Sequence, residues 1–186
     1  MDKSWQPAIL GFGTTIIYNL DVEHSSYHIA RVFAGEKQMT ELRWSEWFSL
    51  VALEPKDVPP LPGVYQMRWG GAGAPKPIPR TNRVDSSGCL YVGSATDLQR
   101  RIRVLRRGIL QGDRTRNVAD IHTAAYTYTV FGYCAKFPSE ELEVRWAETA
   151  KSRIRDHEAN LLADYVRSYF DKPPLNSVVK RLKVSA

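Results

Sequence analysis

Arg101 and Glu158 are the charged residues whose positions ask most for an explanation in chemistry. On the helical pattern that starts at Asp97, Leu98, Ile102, Leu105 and Ile109 repeat as one apolar stripe. Arg100, Arg103 and Arg107 point away from that stripe, whereas Arg101 lies about 60° from Leu98, on its edge. A long side chain there can snorkel, form a local ion pair, or carry its guanidinium over the neighbouring sheet. On a second helical pattern Ile154, Leu161, Leu162, Tyr165 and Tyr169 form the stripe, and Glu158 falls at its centre, roughly 40° from Ile154. A carboxylate on an apolar face needs a partner, so a structural salt bridge and a metal site are both open. His157 lies off that centre and is expected at the surface or edge.

The surroundings of Arg101 favour an anionic partner. Seven arginines (Arg100, Arg101, Arg103, Arg106, Arg107, Arg114, Arg116) and two acids, Asp97 and Asp113, occupy residues 97–116. The planar guanidinium fork matches phosphate oxygens bidentately, which distinguishes this run from a lysine-rich solvated face. The whole chain is basic, with 26 Lys+Arg against 20 Asp+Glu, a formal charge of +6 and a pI near 9.4, so polyanions are favoured over acidic surfaces.

The elements that must position these residues follow from pattern. The chain has 186 residues and is 43% hydrophobic, which suits one core-bearing domain with an appendage. Its longest apolar runs are far shorter than the ~20 residues of a membrane span, and a cytoplasmic location is expected. Cys89 and Cys134 form no Cys-x-x-Cys pair and read as core thiols. Residues 1–57 read as an α/β appendage, with a β-branched stretch at Thr14-Thr15-Ile16-Ile17-Tyr18. A helix is expected to follow from Thr40 through Trp44, Trp47, Phe48 and Val51. A proline-rich joint at residues 54–62 marks the boundary. Residues 58–186 form the second domain. In it, residues 63–69 and 89–93 alternate as strands of a hairpin, with residues 70–88 between them a Gly-, Pro- and Ser-rich loop. The Gly70-Gly71-Ala72-Gly73 start is followed by no Gly-Lys-Ser/Thr and is read as a turn. Asp97 caps a helix that Gly108 ends, residues 124–131 alternate as a third strand, and residues 139–170 read as helix, broken near Ser152. The fold class expected is α+β, a small, mostly antiparallel three-stranded sheet flanked by helices.

In order along the chain stand Gly63-Val64-Tyr65, Tyr91-Val92-Gly93-Ser94-Ala95, Arg101, Glu158-Ala159-Asn160-Leu161-Leu162 and Pro174-Leu175-Asn176. This series, over about residues 61–178, resembles the GIY-YIG nuclease family. The most specific piece is the arginine ten residues after Tyr91. The resemblance implies a metal-dependent endonuclease that hydrolyses phosphodiester bonds in DNA to leave 5′-phosphate and 3′-hydroxyl ends. Glu158 would hold one Mg²⁺ (or Mn²⁺), Arg101 would meet the nonbridging oxygens, and Asn176 would shape the site. Tyr65 is preferred as general base and Tyr91 as orienting group. Arg100, Arg103 and Arg107, with Lys76, Arg80 and Arg83 of the loop, would bind substrate, and the enzyme would act as monomer or homodimer.

Three departures bear on this. The loop at 70–88 lengthens a connection that is usually short in the family. The position one turn after Arg101, where many members carry histidine, is Leu105, which leaves His122 as the nearest candidate by chain position. The appendage matches nothing in the pattern. A noncatalytic nucleic-acid-binding module that keeps the fold is the alternative, although a retained glutamate would repel a phosphate backbone unless a cation neutralised it.

Overall fold

The computed structural model describes residues 41–71, 73–111 and 122–176, and the backbone of two strands nearer the N-terminus. The chain divides into two units, residues 1–41 and 42–186. In the first unit β1 (Pro7–Leu10) pairs antiparallel with β2 (Thr14–Ile17), where the β-branched stretch predicts a strand. The remainder of that unit up to residue 40, like Arg114 and Arg116, lies outside the described residues.

The second unit is α+β. It contains β3 (Phe48–Ser49), β4 (Gly63–Gly71), β5 (Ala74–Pro75), β6 (Ile78–Pro79), β7 (Val84–Asp85) and β8 (Cys89–Ala95). Helices α1 (Leu98–Gln111) and α2 (Thr123–Val130) follow, then β9 (Leu142–Glu148) and α3 (Ile154–Tyr169). The long strand β4 is central, with β8 antiparallel on one side and β9 antiparallel on the other. β3 extends the sheet beyond β9, and β5 folds back on the end of β4. Among the described residues no helix is long and apolar enough to cross a membrane.

Alternation divides the sheet into two faces. Tyr65 and Met67 of β4, Tyr91 of β8, and Val144 and Trp146 of β9 face α1 and α2. There they join Leu98, Ile102, Leu105, Ile109, Ala124, Ala125, Tyr128 and Phe137 in the main core. The opposite face carries Cys89 and Val92 against Leu161, Leu162, Tyr165 and Tyr169 of α3. It also carries Gln66, Arg68, Glu143 and Arg145, met by Trp44 and Trp47.

Several expectations are corrected. Residues 42–57 belong to the domain, which does not begin at residue 58. β3 pairs with β9, and Leu50, Leu53 and Val58 are buried in the core. The expected helix through Trp44, Trp47 and Phe48 does not form. Residues 41–47 carry no helix, because the indoles spread over Arg68 and Arg145 and Phe48 stacks on Trp146. Residues 124–131 are not a third strand: they lie in α2 up to Val130, with Phe131 as its C-cap, Ala124, Ala125 and Tyr128 recur on one buried side, and His122 caps the first turn. The third long strand is β9, within the stretch read as helix. Its Leu142, Val144 and Trp146 face the core, while Glu143 and Arg145 are matched by Arg68 and Gln66 on the other face. Asp97 caps α1 as expected, accepting the Arg100 amide at 2.9 Å. Gly108 does not end that helix but lies within it, where it lets α2 pack close: a Cβ there would come within 2.6 Å of the Ala125 methyl. Cys134 is exposed and not a core thiol, whereas Cys89 is buried, and burial pushes its thiol up to about 12.

Candidate active site

The main-core face of β4 and β8 brings two phenols together at its end. Tyr65 lies directly opposite Gly93 in the ladder, and Tyr91 is two residues earlier on β8. Their ring centroids are 5.8 Å apart. Gly93 makes this possible: a Cβ there would stand 2.8 Å from Tyr65 Oη and 2.6 Å from Tyr91 Cε1. The glycine of the second tyrosine motif is therefore the space that the Tyr65 phenol fills.

Arg101 enters from the first turns of α1. It is half-buried, and its charge bears on both phenols, opposing the rise that burial gives their pKa values. Of the outcomes left open for a long side chain on the edge of the apolar stripe, a local ion pair does not form among the described residues.

His122, the residue before α2, closes the back of the site. Its Nε2 is 2.6 Å from Tyr65 Oη, and its Nδ1 accepts the Ala124 amide at 3.2 Å. Both aromatic neighbours meet the imidazole edge-on, Tyr65 at 6.1 Å and Tyr91 at 5.4 Å between centroids. Burial, and then the charge of Arg101, hold its pKa well below the ordinary histidine value. Burial also pushes Tyr65 well above the ordinary tyrosine value, with Tyr91 adding and Arg101 opposing. Tyr91 is raised by burial too, against the pull of Arg101 and of the neighbouring Tyr65, while Glu158 adds to the rise. Tyr65 is fully enclosed, whereas Tyr91 retains 9% of its surface.

Glu158 reaches the same end of the sheet from α3. Ser94 Oγ donates to its Oε2 at 2.6 Å, and no ion pair engages it among the described residues. The structural salt bridge left open by sequence is thus absent from that set. The other carboxylate oxygen makes no hydrogen bond among the described residues, and a hard oxygen donor of this kind suits Mg²⁺ or Mn²⁺, which keeps several waters and binds through one or two carboxylates. Among the described residues no three His, Cys, Asp or Glu side chains gather into a cage, so a cation here would depend on Glu158, water and substrate oxygens.

Asn176 lies within a short 3-10 turn, Pro174–Asn176. Its Oδ1 accepts the Val92 amide at 2.9 Å and its Nδ2 donates to the Val92 carbonyl at 2.7 Å. The amide thus mimics a neighbouring strand on the open side of β8 and fixes the backbone between Tyr91 and Gly93.

The residues expected to bind substrate fall into two groups. Arg100, Arg103 and Arg107 are exposed on α1 and form no ion pair among the described residues. The loop cations are engaged by the protein itself. Lys76 pairs with Glu141 at 2.6 Å and lies over Trp69, and Arg80 pairs with Asp171 and donates to the Lys172 carbonyl. Arg83 is exposed above the Tyr169 ring. What fixes this loop is a residue the sequence reading passed over. Asp85 is fully buried and accepts from Ser87 N and Oγ, Cys89 N and Tyr165 Oη. The Asp-Ser-Ser-Gly turn sequence was its available signal, since aspartate commonly binds its own backbone two residues on. His157 corrects another expectation. It is 2% exposed, not at the surface, because α3 buries the line Ile154, His157, Tyr165, with Leu161 partly buried beside it.

The chain matches no family model, no curated protein and no solved structure.

Proposed function

We propose that the protein is a metal-dependent endonuclease of the GIY-YIG type that hydrolyses phosphodiester bonds in DNA. The observation that carries this reading is that a half-buried arginine, two phenols and a carboxylate lie towards one end of the β4–β8 pair, the arginine and the carboxylate without an ion pair among the described residues. A phosphate between Arg101 and Glu158 would find a donor for its nonbridging oxygens and a ligand for the cation that neutralises it. The bound Mg²⁺ or Mn²⁺ would be held by Glu158 and would supply Lewis-acid polarisation of phosphate and water.

Hydrolysis forms a bond from a water oxygen to phosphorus and breaks the bond to the 3′ oxygen, which leaves as hydroxyl beside a 5′-phosphate. Arg101 would donate to the oxygens on which charge builds. Of the two phenols, Tyr91 is the one with exposed surface and the one whose charge is coupled to Glu158, so it takes the role next to the attacking water that sequence preference gave to Tyr65. Tyr65 stands behind it. Ser94 orients the Glu158 carboxylate, and Asn176 holds the strand that carries Tyr91. The exposed Arg100, Arg103 and Arg107 supply the sequence-independent attraction to the backbone.

The test is incubation of the purified chain with end-labelled single- and double-stranded DNA, with Mg²⁺ and with EDTA. Cleavage that requires the cation and leaves 5′-phosphate ends supports the reading. Retention of DNA without cleavage under every condition would transfer it to a noncatalytic binding module.

A further inference from the structure

We infer that His122 is a fixed hydrogen-bond donor to Tyr65, held in its Nε2–H tautomer by the first turn of α2, and so a positioning residue that cannot accept the Tyr65 proton. Its effect on catalysis rests on the nuclease reading; its tautomer does not.

The direction follows from counting protons. The Ala124 backbone N–H belongs to the first turn of α2 and finds its acceptor in His122 Nδ1. A backbone N–H only donates, so Nδ1 must present a lone pair. A neutral imidazole has one N–H, which must then be on Nε2. That nitrogen is 2.6 Å from Tyr65 Oη, and the phenol oxygen is therefore the acceptor in this contact. The alternatives are excluded locally. The Nδ1–H tautomer would turn two buried N–H groups toward each other. An imidazolium would do the same and add a second positive charge beside Arg101. Burial and Arg101 together hold the ring neutral.

The polarity of this chain is fixed at its start and runs one way, from the Ala124 amide through His122 to the Tyr65 oxygen. With His122 donating to Oη, the Tyr65 proton must point away from the imidazole. A histidine acting as base would require the reverse polarity throughout.

The direct test is a long-range ¹H–¹⁵N correlation spectrum of the full chain labelled at histidine. His122→Gln assigns the resonances among the four histidines, because one set disappears. The expected result at neutral pH is an unprotonated Nδ1 and a protonated Nε2 for His122. A protonated Nδ1, alone or in an imidazolium, overturns the inference. This measurement is independent of cleavage, so a protein that proves not to be a nuclease still decides it. Where cleavage is observed, His122→Gln and His122→Phe separate the roles further. The glutamine amide can donate to Tyr65 and should keep the rate within about tenfold, whereas phenylalanine should lower it at least ~10²-fold, the scale on which a lost donor acts. Equal losses in both variants, on a folded background, would mean that proton acceptance is the function of the ring.

Discussion

The two faces of the central sheet hold arginines in opposite circumstances. On the face covered by Trp44 and Trp47, Arg68 is bound to Glu143 at 2.6 Å and lies 4.1 Å over Trp47, and Arg145 stands between the two indoles while donating to Gln66. Those guanidiniums are answered within the protein. On the face covered by α1 and α2, Arg101 is half-buried among phenols and a neutral imidazole, with no carboxylate paired to it among the described residues. The difference separates structure from binding. A paired buried cation fixes a sheet, and an unpaired one is a place for an anion. Net charge by itself does not distinguish them.

The largest expected effect lies on the paired face. Glu143→Ala leaves Arg68 with an unanswered charge in a site where its side chain is 9% exposed, so the loss of stability should be about 3–5 kcal/mol by urea unfolding. Cleavage by the fraction that remains folded should be unchanged. A loss of activity beyond the loss of folded protein would show that the two faces are coupled.

Next comes the unpaired face. Arg101→Ala should lower the cleavage rate at saturating DNA at least ~10²-fold, as removal of a charge partner of the transition state does. The unfolding midpoint should move little. If this variant instead unfolds like Glu143→Ala and keeps its specific rate, Arg101 belongs with Arg68 and the comparison fails.

A smaller effect is set by pH. The folded-state pKa of His122 is well below that of an unfolded histidine, about 6.5, and the pKa of His157 is also lowered, by burial and then Arg153, with Asp156 opposing. Below that value the unfolded chain takes up protons that the folded one does not. Stability should therefore be flat above pH ~6.5 and fall as pH drops below it toward the folded pKa values. His122→Gln should flatten part of that fall. A wild-type profile that rises on acidification would contradict the neutral, buried ring.

The smallest effect concerns the exposed arginines of α1. Arg107→Ala should weaken DNA binding modestly and reduce the slope of log affinity against log salt by about 1, with the cleavage rate at saturation preserved. An equal loss of saturating rate from Arg107 and Arg101 would erase the distinction between surface and site.

Much of the site could be read from pattern because it depends on local geometry. Helical phase alone separated Arg101 from its neighbours, and alternation identified β4 and β8 with their tyrosines. What escaped depends on contacts distant in sequence. The Tyr65–His122 contact joins residues 57 positions apart, and no periodicity encodes it. Ser139 with Glu140 and Glu141 looks like the start of a helix, but it forms a short 3-10 turn that leads into β9, whose Glu143 and Arg145 are answered by Arg68 and Gln66 across the ladder. His157 lies off the centre of the stripe Ile154, Leu161, Leu162, Tyr165 and Tyr169, yet the start of α3 buries it beside Ile154, a contact that phase alone does not encode. Gly93 could be recognised as part of a motif, but its purpose, room for the Tyr65 phenol, required coordinates.

The most direct test of the central claim is Glu158→Gln, with DNA binding and DNA cleavage measured on the same folded preparation in Mg²⁺. Glutamine keeps the size of the side chain and an acceptor for Ser94 while removing the charge that would hold the cation. The variant is expected to bind DNA still and no longer to cut it. Cleavage at near the wild-type rate, or full wild-type activity in EDTA, would contradict that claim.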